Sequence, residues 1–507
     1  MAENILEMKH ITKRFGPVVA NSDVSLSVEK GEVHALLGEN GAGKSTLMCC
    51  LYGLYDSYEG DIYFDGLPVQ IKDSKHAIAL GIGMVHQHFM LIPVLSVIEN
   101  VVLGLKENKA VLNLNDAARR FTELGCKYNM EIDPWAKVEQ LSVGQQQRVE
   151  ILKALYRNAK LLILDEPTAV LTPGEIEGLF SMIEVLKAEG RTVIFISHKL
   201  NEIMKICDRC TVLRMGRLET TVRIDQVKDR QHLASLMVGR QVELVTSKEE
   251  CKLCGVELEV QSLSASSDMG LPAVKETSFD LRGGEILGIC GVDGNGQSEL
   301  VQCITGLRAP TGGKIFIGGV ETTHMSARDI LRLNVSHIPE DRHKYGMVGT
   351  MNIEENLILV SYKQQHYSKK GLLNWKWIGQ HSEQICEDFN VKTPNIYQEA
   401  KNLSGGNQQK MVVGRELERV PRLLVAVHPS RGLDIGATKY IQEQMVRQRD
   451  SGTAVLLVST ELDELLEISD RILVLYEGRI MGIVPQAEAT RELLGSLMAG
   501  IARQPAV

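Results

Sequence analysis

GENGAGKST, residues 38–46, matches the template G-x-x-x-x-G-K-[ST] at each of its fixed positions. The residues before it, EVHALLG, become wholly apolar as a buried parallel strand does, and the following STLMCCLYGL is typical of the start of a helix. Strand, glycine-rich loop and helix is the context in which this motif binds phosphate. The stretch therefore predicts a nucleotide site in an α/β domain, rather than a glycine-rich turn that merely caps a helix.

The residue types of this loop suit phosphate chemistry. Its glycines let the backbone curl so that successive N–H groups point at phosphate oxygens, and the helix that opens at Lys44 adds the positive end of its dipole. Lys44 brings a full charge to the β- and γ-phosphates, and the Ser45 hydroxyl is a ligand for Mg²⁺. We expect the whole loop to bind nucleotide: Gly38, Glu39, Asn40, Gly41, Ala42, Gly43, Lys44, Ser45 and Thr46.

The bulk properties describe a globular, non-membrane chain. A length of 507 residues allows about three domains and requires at least two. The formal net charge of −8 argues against a protein that coats nucleic acid. No apolar run reaches the length of a membrane span, and MAENILEMKH at the N-terminus lacks the apolar core of a signal peptide, so we expect a cytoplasmic location.

Ten cysteines include two CxxC pairs, Cys207/Cys210 and Cys251/Cys254, which lie too far apart for a zinc ribbon. The stretch ICDRCTVL at 206–213 has a counterpart, ISDRILVL at 468–475, that lacks both cysteines. We therefore expect Cys210 to be a buried strand residue, and neither a metal site nor a disulfide is favoured.

That counterpart belongs to an internal duplication of the chain. Residues 32–47 match 285–300 at an offset of 253, whereas 141–155 match 403–417, 159–172 match 421–434 and 192–203 match 454–465, all at an offset of 262. The second copy is therefore nine residues longer between Glu340 and Leu403. We predict two α/β domains, 1–242 and 257–507, joined by a polar linker at 243–256, each with a mixed parallel-sheet core and a helical subdomain (about 90–160 and 341–420).

Further polar residues follow apolar strands in the first copy. In LLILDEP, Asp165 emerges at the carboxyl end of a buried strand, where it can hold Mg²⁺, and Glu166 can polarise a water in line with the γ-phosphate. His198 ends the strand TVIFIS, and Gln87 offers an amide that can ligate Mg²⁺ or orient water. Phe15 could stack under an adenine ring, although a core role is nearly as consistent with the sequence.

Together these motifs resemble the ATP-binding cassette (ABC) ATPases, and the resemblance covers essentially the whole chain. GENGAGKST, Gln87, LSVGQ, LLILDEP and His198, duplicated in one chain, carry it, and GVDGNGQSEL, SGGNQQK and RGLDIGA resemble the tandem-cassette subunits of bacterial sugar and nucleoside importers. The resemblance implies P-loop NTPase domains packed head to tail, with ATP between the phosphate loop of one copy and Ser404, Gly405 and Gly406 of the other. It also implies ATP and Mg²⁺ as cofactors, with Lys44, Gln87, Glu166 and His198 catalytic and Ser45, Gln87 and Asp165 at the metal.

The second copy departs from this pattern. Gln297 replaces Lys44, Glu340 replaces Gln87, Val427 and His428 replace Asp165 and Glu166, and Thr460 replaces His198; in LSVGQ of the first copy, Val143 replaces a glycine. Losing one such group commonly costs 10²- to 10⁴-fold in rate. The sequence therefore predicts one hydrolytic site and one that binds nucleotide weakly or statically.

The resemblance implies partners as well. We expect transmembrane permease subunits, an extracellular substrate-binding protein acting indirectly, a sugar or nucleoside as cargo, a peripheral position on the cytoplasmic face of the membrane, and no nucleic acid. The apolar stretch HFMLIPVL, residues 88–95, fits a groove for a permease helix, with a buried helix as the alternative. A rival function, a soluble tandem ATPase that acts on ribosomes or nucleic acid, is disfavoured by the short linker and the altered second copy.

Overall fold

The computed structural model describes residues 3–16, 18–39, 41–86, 89–105, 113–168, 171, 173–239, 248–249, 252–292 and 294–501, except the side chains of Pro173 and Val238. The chain divides into two compact units, Met1–Val242 and Glu243–Val507. Each is an α/β unit with a mixed sheet, as the sequence predicts.

The first unit contains ten strands and eight helices within its described residues. The strands are β1 (Asn4–Phe15), β2 (Val18–Glu29), β3 (Val33–Leu37), β4 (Glu59–Phe64), β5 (Leu67–Val69), β6 (Ile82–Val85), β7 (Leu161–Asp165), β8 (Thr192–Ile196), β9 (Arg209–Arg214) and β10 (Arg217–Arg223). The helices are α1 (Lys44–Leu51), α2 (Ser74–Leu80), α3 (Val97–Val102), α4 (Leu114–Lys127), α5 (Val143–Tyr156), α6 (Pro173–Ala188), α7 (Leu200–Ile206) and α8 (Arg230–Val238).

The core sheet of this unit runs β10-β9-β3-β8-β7-β6, and all neighbours except β10 and β9 pair in parallel. Every residue of β3, β7 and β8 is buried, because helices cover both faces of a parallel sheet. The parallel strands end at one edge of the sheet, so the loops after β3, β7 and β8 share that edge. A separate antiparallel sheet, β2-β1-β4-β5, packs its alternating apolar residues against α1.

The second unit repeats this architecture. Its strands are β11 (Val256–Ser266), β12 (Pro272–Arg282), β13 (Ile286–Cys290), β14 (Gly312–Ile317), β15 (Val320–Glu321), β16 (Val335–Ile338), β17 (Ser368–Lys369), β18 (Leu372–Leu373), β19 (Leu423–Val427), β20 (Ala454–Val458), β21 (Arg471–Tyr476) and β22 (Arg479–Pro485). Its helices are α9 (Gln297–Ile304), α10 (Ala327–Arg332), α11 (Ile353–Ile358), α12 (Trp375–Asp388), α13 (Gly405–Leu417), α14 (Ile435–Asp450), α15 (Leu462–Ile468) and α16 (Arg491–Met498).

The sheets of the second unit are β16-β19-β20-β13-β21-β22 and β12-β11-β14-β15, in the same order as their counterparts in the first unit. The helical middle of each unit holds three α-helices, α3 to α5 and α11 to α13. The small hairpin of β17 and β18 lies in the connection between α11 and α12 of the longer second copy. That connection has sixteen residues, whereas the equivalent connection between α3 and α4 has eleven.

Part of the predicted linker packs on the second unit. The Lys248 ammonium donates to the carbonyl of Ser469 at 2.9 Å, and Arg449 Nη1 donates to the carbonyl of Glu249 at 2.8 Å. Cys210 is buried in β9, and burial raises the pKa of its thiol to about 12; Cys251 lies outside the described residues. Within the described ranges, no cluster of three or more His, Cys, Asp or Glu residues could hold a metal ion, and no helix could cross a membrane.

Candidate functional site

The phosphate loop lies between β3 and α1, and its backbone depends on glycine. Gly41 and Gly43 have φ values of 81° and 95°, which other residues rarely adopt, and a Cβ on Gly38 would collide with the carbonyl oxygen of Leu213. The helix begins at Lys44, with Gly43 as its N-cap. The predicted loop residue Asn40 lies outside the described residues.

Lys44 is only 6% exposed, and its side chain lies inside the phosphate loop. Its ammonium donates to the carbonyls of Gly38 at 2.7 Å and Glu39 at 3.0 Å. Burial lowers the pKa of Lys44, while the neighbouring carboxylates, led by Glu166, oppose that shift. A phosphate could take the place of these carbonyls as a partner for a cation that is already desolvated.

Ser45 and Asp165 meet across the sheet edge. The Ser45 hydroxyl donates to Asp165 Oδ1 at 3.3 Å, joining the start of α1 to the end of β7. Burial raises the pKa of Asp165, and the Ser45 hydrogen bond partly offsets the rise. Two oxygen donors at this separation fit the ligand preference of Mg²⁺. The third predicted metal ligand, Gln87, lies outside the described residues.

Glu166 and His198 form the second pair at this edge. His198 Nδ1 lies 3.0 Å from Glu166 Oε1, and the Glu166 side chain is 15% exposed. Glu166 has a positive φ of 48°, and its N–H donates to the carbonyl of Ile196 at 3.0 Å. Burial by itself would raise the pKa of Glu166, but the hydrogen bond to His198 and the charges of His198, Lys44 and Lys199 lower it overall. The carboxylate is therefore ionised at neutral pH and available to accept a proton.

Phe15 lies at the end of β1 and is 43% exposed, which does not favour the alternative core role. Its ring packs edge-on against Tyr55 at 5.1 Å between centroids, and the Lys13 ammonium lies 5.1 Å from its centre. The Asn21 amide ties this antiparallel sheet to the phosphate loop by donating to the carbonyl of Gly43 at 3.1 Å. Phe15 thus stands on a hairpin joined to the loop, beside an aromatic partner that the sequence did not single out.

The second unit keeps the loop but changes its side chains. Gly294 and Gly296 have φ values of 86° and 100°, like Gly41 and Gly43, and His428 has the positive φ of Glu166, at 45°. Gln297 Nε2 donates to the carbonyl of Val292 at 3.1 Å, as Lys44 does to the carbonyl of the equivalent residue, Glu39, at 3.0 Å. The loop borders a pocket of about 220 Å³ whose described lining also includes Ser298, Glu340, Val427, His428 and Thr460. The one carboxylate in that lining, Glu340, is paired with Arg431 at 2.7 Å.

The two helices that follow the LSVGQ and LSGGN motifs differ at their N-termini. In the first unit, the Ser142 side chain accepts from the N–H of Gln145 in a capping box at the start of α5. In the second unit, Ser404 makes no such bond at the start of α13, and its hydroxyl instead accepts from Asn407 Nδ2 at 2.9 Å. The Ser142 side chain therefore accepts a hydrogen bond from a backbone N–H in the first turn of α5. The Ser404 side chain accepts none from the backbone N–H groups in the first turn of α13.

Charged neighbours reinforce this difference, and sequence reasoning missed them. The Glu175 carboxyl carbon lies 2.7 Å from where a Cβ on Gly144 would stand, so a negative charge adjoins the start of α5. In the second unit, Arg342 Nη2 lies 3.0 Å from where a Cβ on Gly405 would stand, so a positive charge adjoins the start of α13. The internal duplication does single out Arg342, because the residue that aligns with it in the first copy, at the offset of 253, is the uncharged Phe89.

Within its described residues, the apolar stretch at 88–95 is not a buried helix. The described residues 89–95 contain no helix, and Met90 and Val94 are each 64% exposed, so that alternative is wrong. Buried Asn100 holds the segment, since its side chain accepts from the N–H of Ile92 at 2.8 Å and donates to the carbonyl at 3.1 Å. Met90 borders a pocket of about 270 Å³ whose charged lining consists of Glu150, Lys153 and Arg157, together with His86.

Comparisons with known proteins agree with this geometry. A family model described as ABC transporter matches residues 21–169 and 274–429, the two phosphate-loop regions. The chain belongs to the ABC transporter family. Members of this family with such sites are ATPases, and this chain is an ABC ATPase with two cassettes in tandem.

Relatives of this ABC ATPase are import proteins that match it almost end to end. The nucleoside import ATP-binding protein NupA of Lactococcus lactis subsp. cremoris is 46% identical, over 98% of both chains. The glucose import ATP-binding protein TsgD13 of Haloferax volcanii is 44% identical, over 98% of this chain and 96% of that one. A solved structure of archaeal ribosome recycling factor aABCE1 with ribosomal stalk protein aP1 matches with a TM-score of 0.63 and 19% identity, over 98% of this ABC ATPase and 94% of that chain, which shows a shared fold alone.

Proposed function

We propose that this ABC ATPase energises the import of nucleosides or simple sugars through a membrane permease, and that it hydrolyses ATP at one site only. The observation that carries the proposal is the pairing of Glu166 with His198 beside Lys44. At the equivalent positions, the pocket of the second unit has His428, Thr460 and Gln297 instead. The similarity to importer subunits supports the transport role. The rival role on ribosomes gains nothing from a likeness at 19% identity.

In the proposed reaction, each described residue of the first unit has a distinct part. Lys44 would bind the phosphates, and Ser45 and Asp165 would hold Mg²⁺, which would supply charge neutralisation on the phosphate oxygens. Glu166 accepts the proton of the attacking water, and His198 orients the Glu166 carboxylate and keeps it ionised. Gln87 is proposed as a further ligand and water-positioning group, and Phe15 as the platform for adenine.

We also propose that turnover at Lys44 depends on Ser404, Gly405 and Gly406 rather than on the equivalent residues of the first unit. The uncapped start of α13 and the adjacent Arg342 favour an anion. The start of α5 is disfavoured for the same ligand, because it is capped by Ser142 and adjoined by the Glu175 carboxylate. These features support an asymmetric pair in which the second unit contributes the productive LSGGN motif.

A permease would dock beside Met90 and Val94, whose apolar side chains are exposed. Met90 also borders the charged pocket of Glu150, Lys153 and Arg157. A substrate-binding protein would then act outside the cell through that permease. Nucleoside and sugar remain joint candidates for the cargo, since the two importer relatives differ in cargo at nearly equal identity.

The test is a matched pair of variants at equivalent positions. Glu166→Gln is expected to lower kcat of ATP hydrolysis by at least about 10²-fold, because it removes the proton acceptor. His428→Gln, at the equivalent strand end with the same backbone φ, is expected to leave kcat within about twofold of wild type if it takes no proton. Comparable losses in both variants would refute a single hydrolytic site.

A further inference from the structure

The hairpin of β17 and β18 carries a concentration of positive charge that the site does not use. From Asn356 to Ser382 the sequence contains four lysines and neither Asp nor Glu, in a chain whose net charge is −8. These lysines are Lys363, Lys369, Lys370 and Lys376, and all four are exposed. The corresponding stretch of the first copy, 103–113, is shorter and includes an acid, Glu107.

The lysines of this segment lack the carboxylate partners that three other lysines of the second unit have. Lys314, Lys401 and Lys439 each pair with a glutamate, at 3.2, 2.6 and 3.1 Å. Among the described residues, the four hairpin-segment lysines form no ion pair with a carboxylate, and Lys363 instead lies 5.3 Å from the centre of the Tyr362 ring. Their charge is therefore available to an external anion.

Exposed apolar side chains accompany this charge. Leu372 on β18 is 77% exposed, Trp375 at the start of α12 is 47% exposed, and Tyr362 is 44% exposed. Lys370 and Gly371, at the tip of the hairpin, have φ values of 51° and 83°, as a two-residue hairpin turn requires. The segment thus presents exposed lysines together with exposed leucine and aromatic side chains.

A rigid base supports the tip. Tyr367, immediately before β17, is 3% exposed and packs with Ile358 of α11 and Ile378 of α12. Trp377 stacks on His381 at 4.5 Å between ring centroids, and His381 in turn lies 3.0 Å from a carboxylate oxygen of Glu418 on the turn that ends α13. The apolar and stacked contacts hold the base of the hairpin, and they leave its charged tip exposed.

We propose that this segment, Tyr362 to Trp377, binds the anionic phospholipid headgroups of a membrane surface. Lysines near such a surface are attracted to its phosphates, and Trp, Tyr and Leu side chains insert favourably at the boundary between headgroups and acyl chains. The proposal rests on the proposed function only in that the chain works beside a membrane permease. It adds a direct contact with lipid, made by the second unit alone.

Vesicle binding by the purified full chain, without permease, tests this. Wild type is expected to sediment with vesicles of phosphatidylcholine mixed with phosphatidylglycerol, but not with phosphatidylcholine alone, and to dissociate at high salt. The double variant Lys369→Gln/Lys370→Gln is expected to bind roughly 30-fold more weakly, because each lysine contributes about fivefold to partitioning. The control Lys228→Gln/Lys392→Gln removes the same charge from exposed sites elsewhere and is expected to bind as wild type does.

A second measurement locates the contact. Brominated lipid in the anionic vesicles is expected to quench tryptophan emission in wild type and in Trp135→Phe, but to quench it much less in Trp375→Phe. ATP hydrolysis in solution, measured on the same samples, reports the proposed catalytic function separately, and it is expected to be unchanged by the lysine variants.

Two results would overturn the lipid proposal. One is equal binding of the two double-lysine variants to the anionic vesicles. The other combines two observations: the wild-type chain does not bind the anionic vesicles, and the hairpin variants no longer copurify with a permease in detergent. That result would make the hairpin a docking element for a protein instead.

Discussion

His198 Nδ1 lies 3.0 Å from Glu166 Oε1, joining the ends of two adjacent parallel strands. Glu166 directly follows β7 and His198 lies two residues after β8, so the two side chains meet at one edge of the sheet. The hydrogen bond lowers the pKa of a carboxyl group that burial alone would raise. His198 therefore favours the ionised form of Glu166.

Removing this contact should move the acid side of the pH profile. With a lowered pKa, wild-type Glu166 stays ionised as the pH falls, so kcat/KM for ATP is expected to hold to a lower pH than it would without the hydrogen bond from His198. In His198→Ala burial dominates, the pKa of Glu166 rises, and the decline of kcat/KM is expected to begin at a higher pH. A profile that keeps its shape in His198→Ala, with only a lower plateau, would contradict this role.

Ser45 predicts a specific dependence on metal. Ser45→Ala removes one of two oxygen donors beside the phosphate loop, so the Mg²⁺ concentration for half-maximal hydrolysis is expected to rise about tenfold or more. Ser298→Ala makes the equivalent change in the second unit, and there the Mg²⁺ requirement is expected to stay at the wild-type value. Titration of ATPase activity with Mg²⁺ at saturating ATP distinguishes the two, and an equal shift in both would count against the assignment.

Exchanging the LSVGQ and LSGGN residues tests which motif matters. Gly405→Val copies Val143 into the start of α13 and crowds Arg342, so kcat/KM is expected to fall about 10²-fold if phosphate approaches there. Val143→Gly makes the reverse change and is expected to leave steady-state ATP hydrolysis nearly unaltered. The opposite ranking of the two variants would assign the productive role to the first unit.

Coupling to a permease should be separable from catalysis. Val94→Asp puts a charge on an exposed apolar side chain, so ATP-driven uptake into vesicles reconstituted with the permease is expected to fall at least about tenfold. Hydrolysis by the isolated chain is expected to be unchanged, because Val94 carries none of the proposed catalytic groups. Full uptake by Val94→Asp would move the docking surface elsewhere, and Leu67→Asp, at a similarly exposed apolar residue on β5, provides the control.

Much of the geometry around the proposed nucleotide site was predictable, because its motifs are contiguous stretches of sequence at strand ends. Lys44 opens α1, Asp165 ends β7 and His198 follows β8, so the sheet edge that gathers them follows from local patterns. The start of α13 was predictable for the same reason. The sequence left two interpretations of HFMLIPVL open, a docking groove and a buried helix, because an apolar stretch has the same composition whether it is buried or exposed.

By itself, the sequence determined the duplication, the α/β class and the retained or altered residues of each copy, because those depend on residue identity and on periodicity along the chain. Only the tertiary structure decided which charge adjoins each helix start. Glu175 reaches Gly144 from α6, and Arg342 reaches Gly405 from the segment after β16. The physical reason is that electrostatic effects depend on distance in space, and folding brings together charges whose separation along the chain carries no signal.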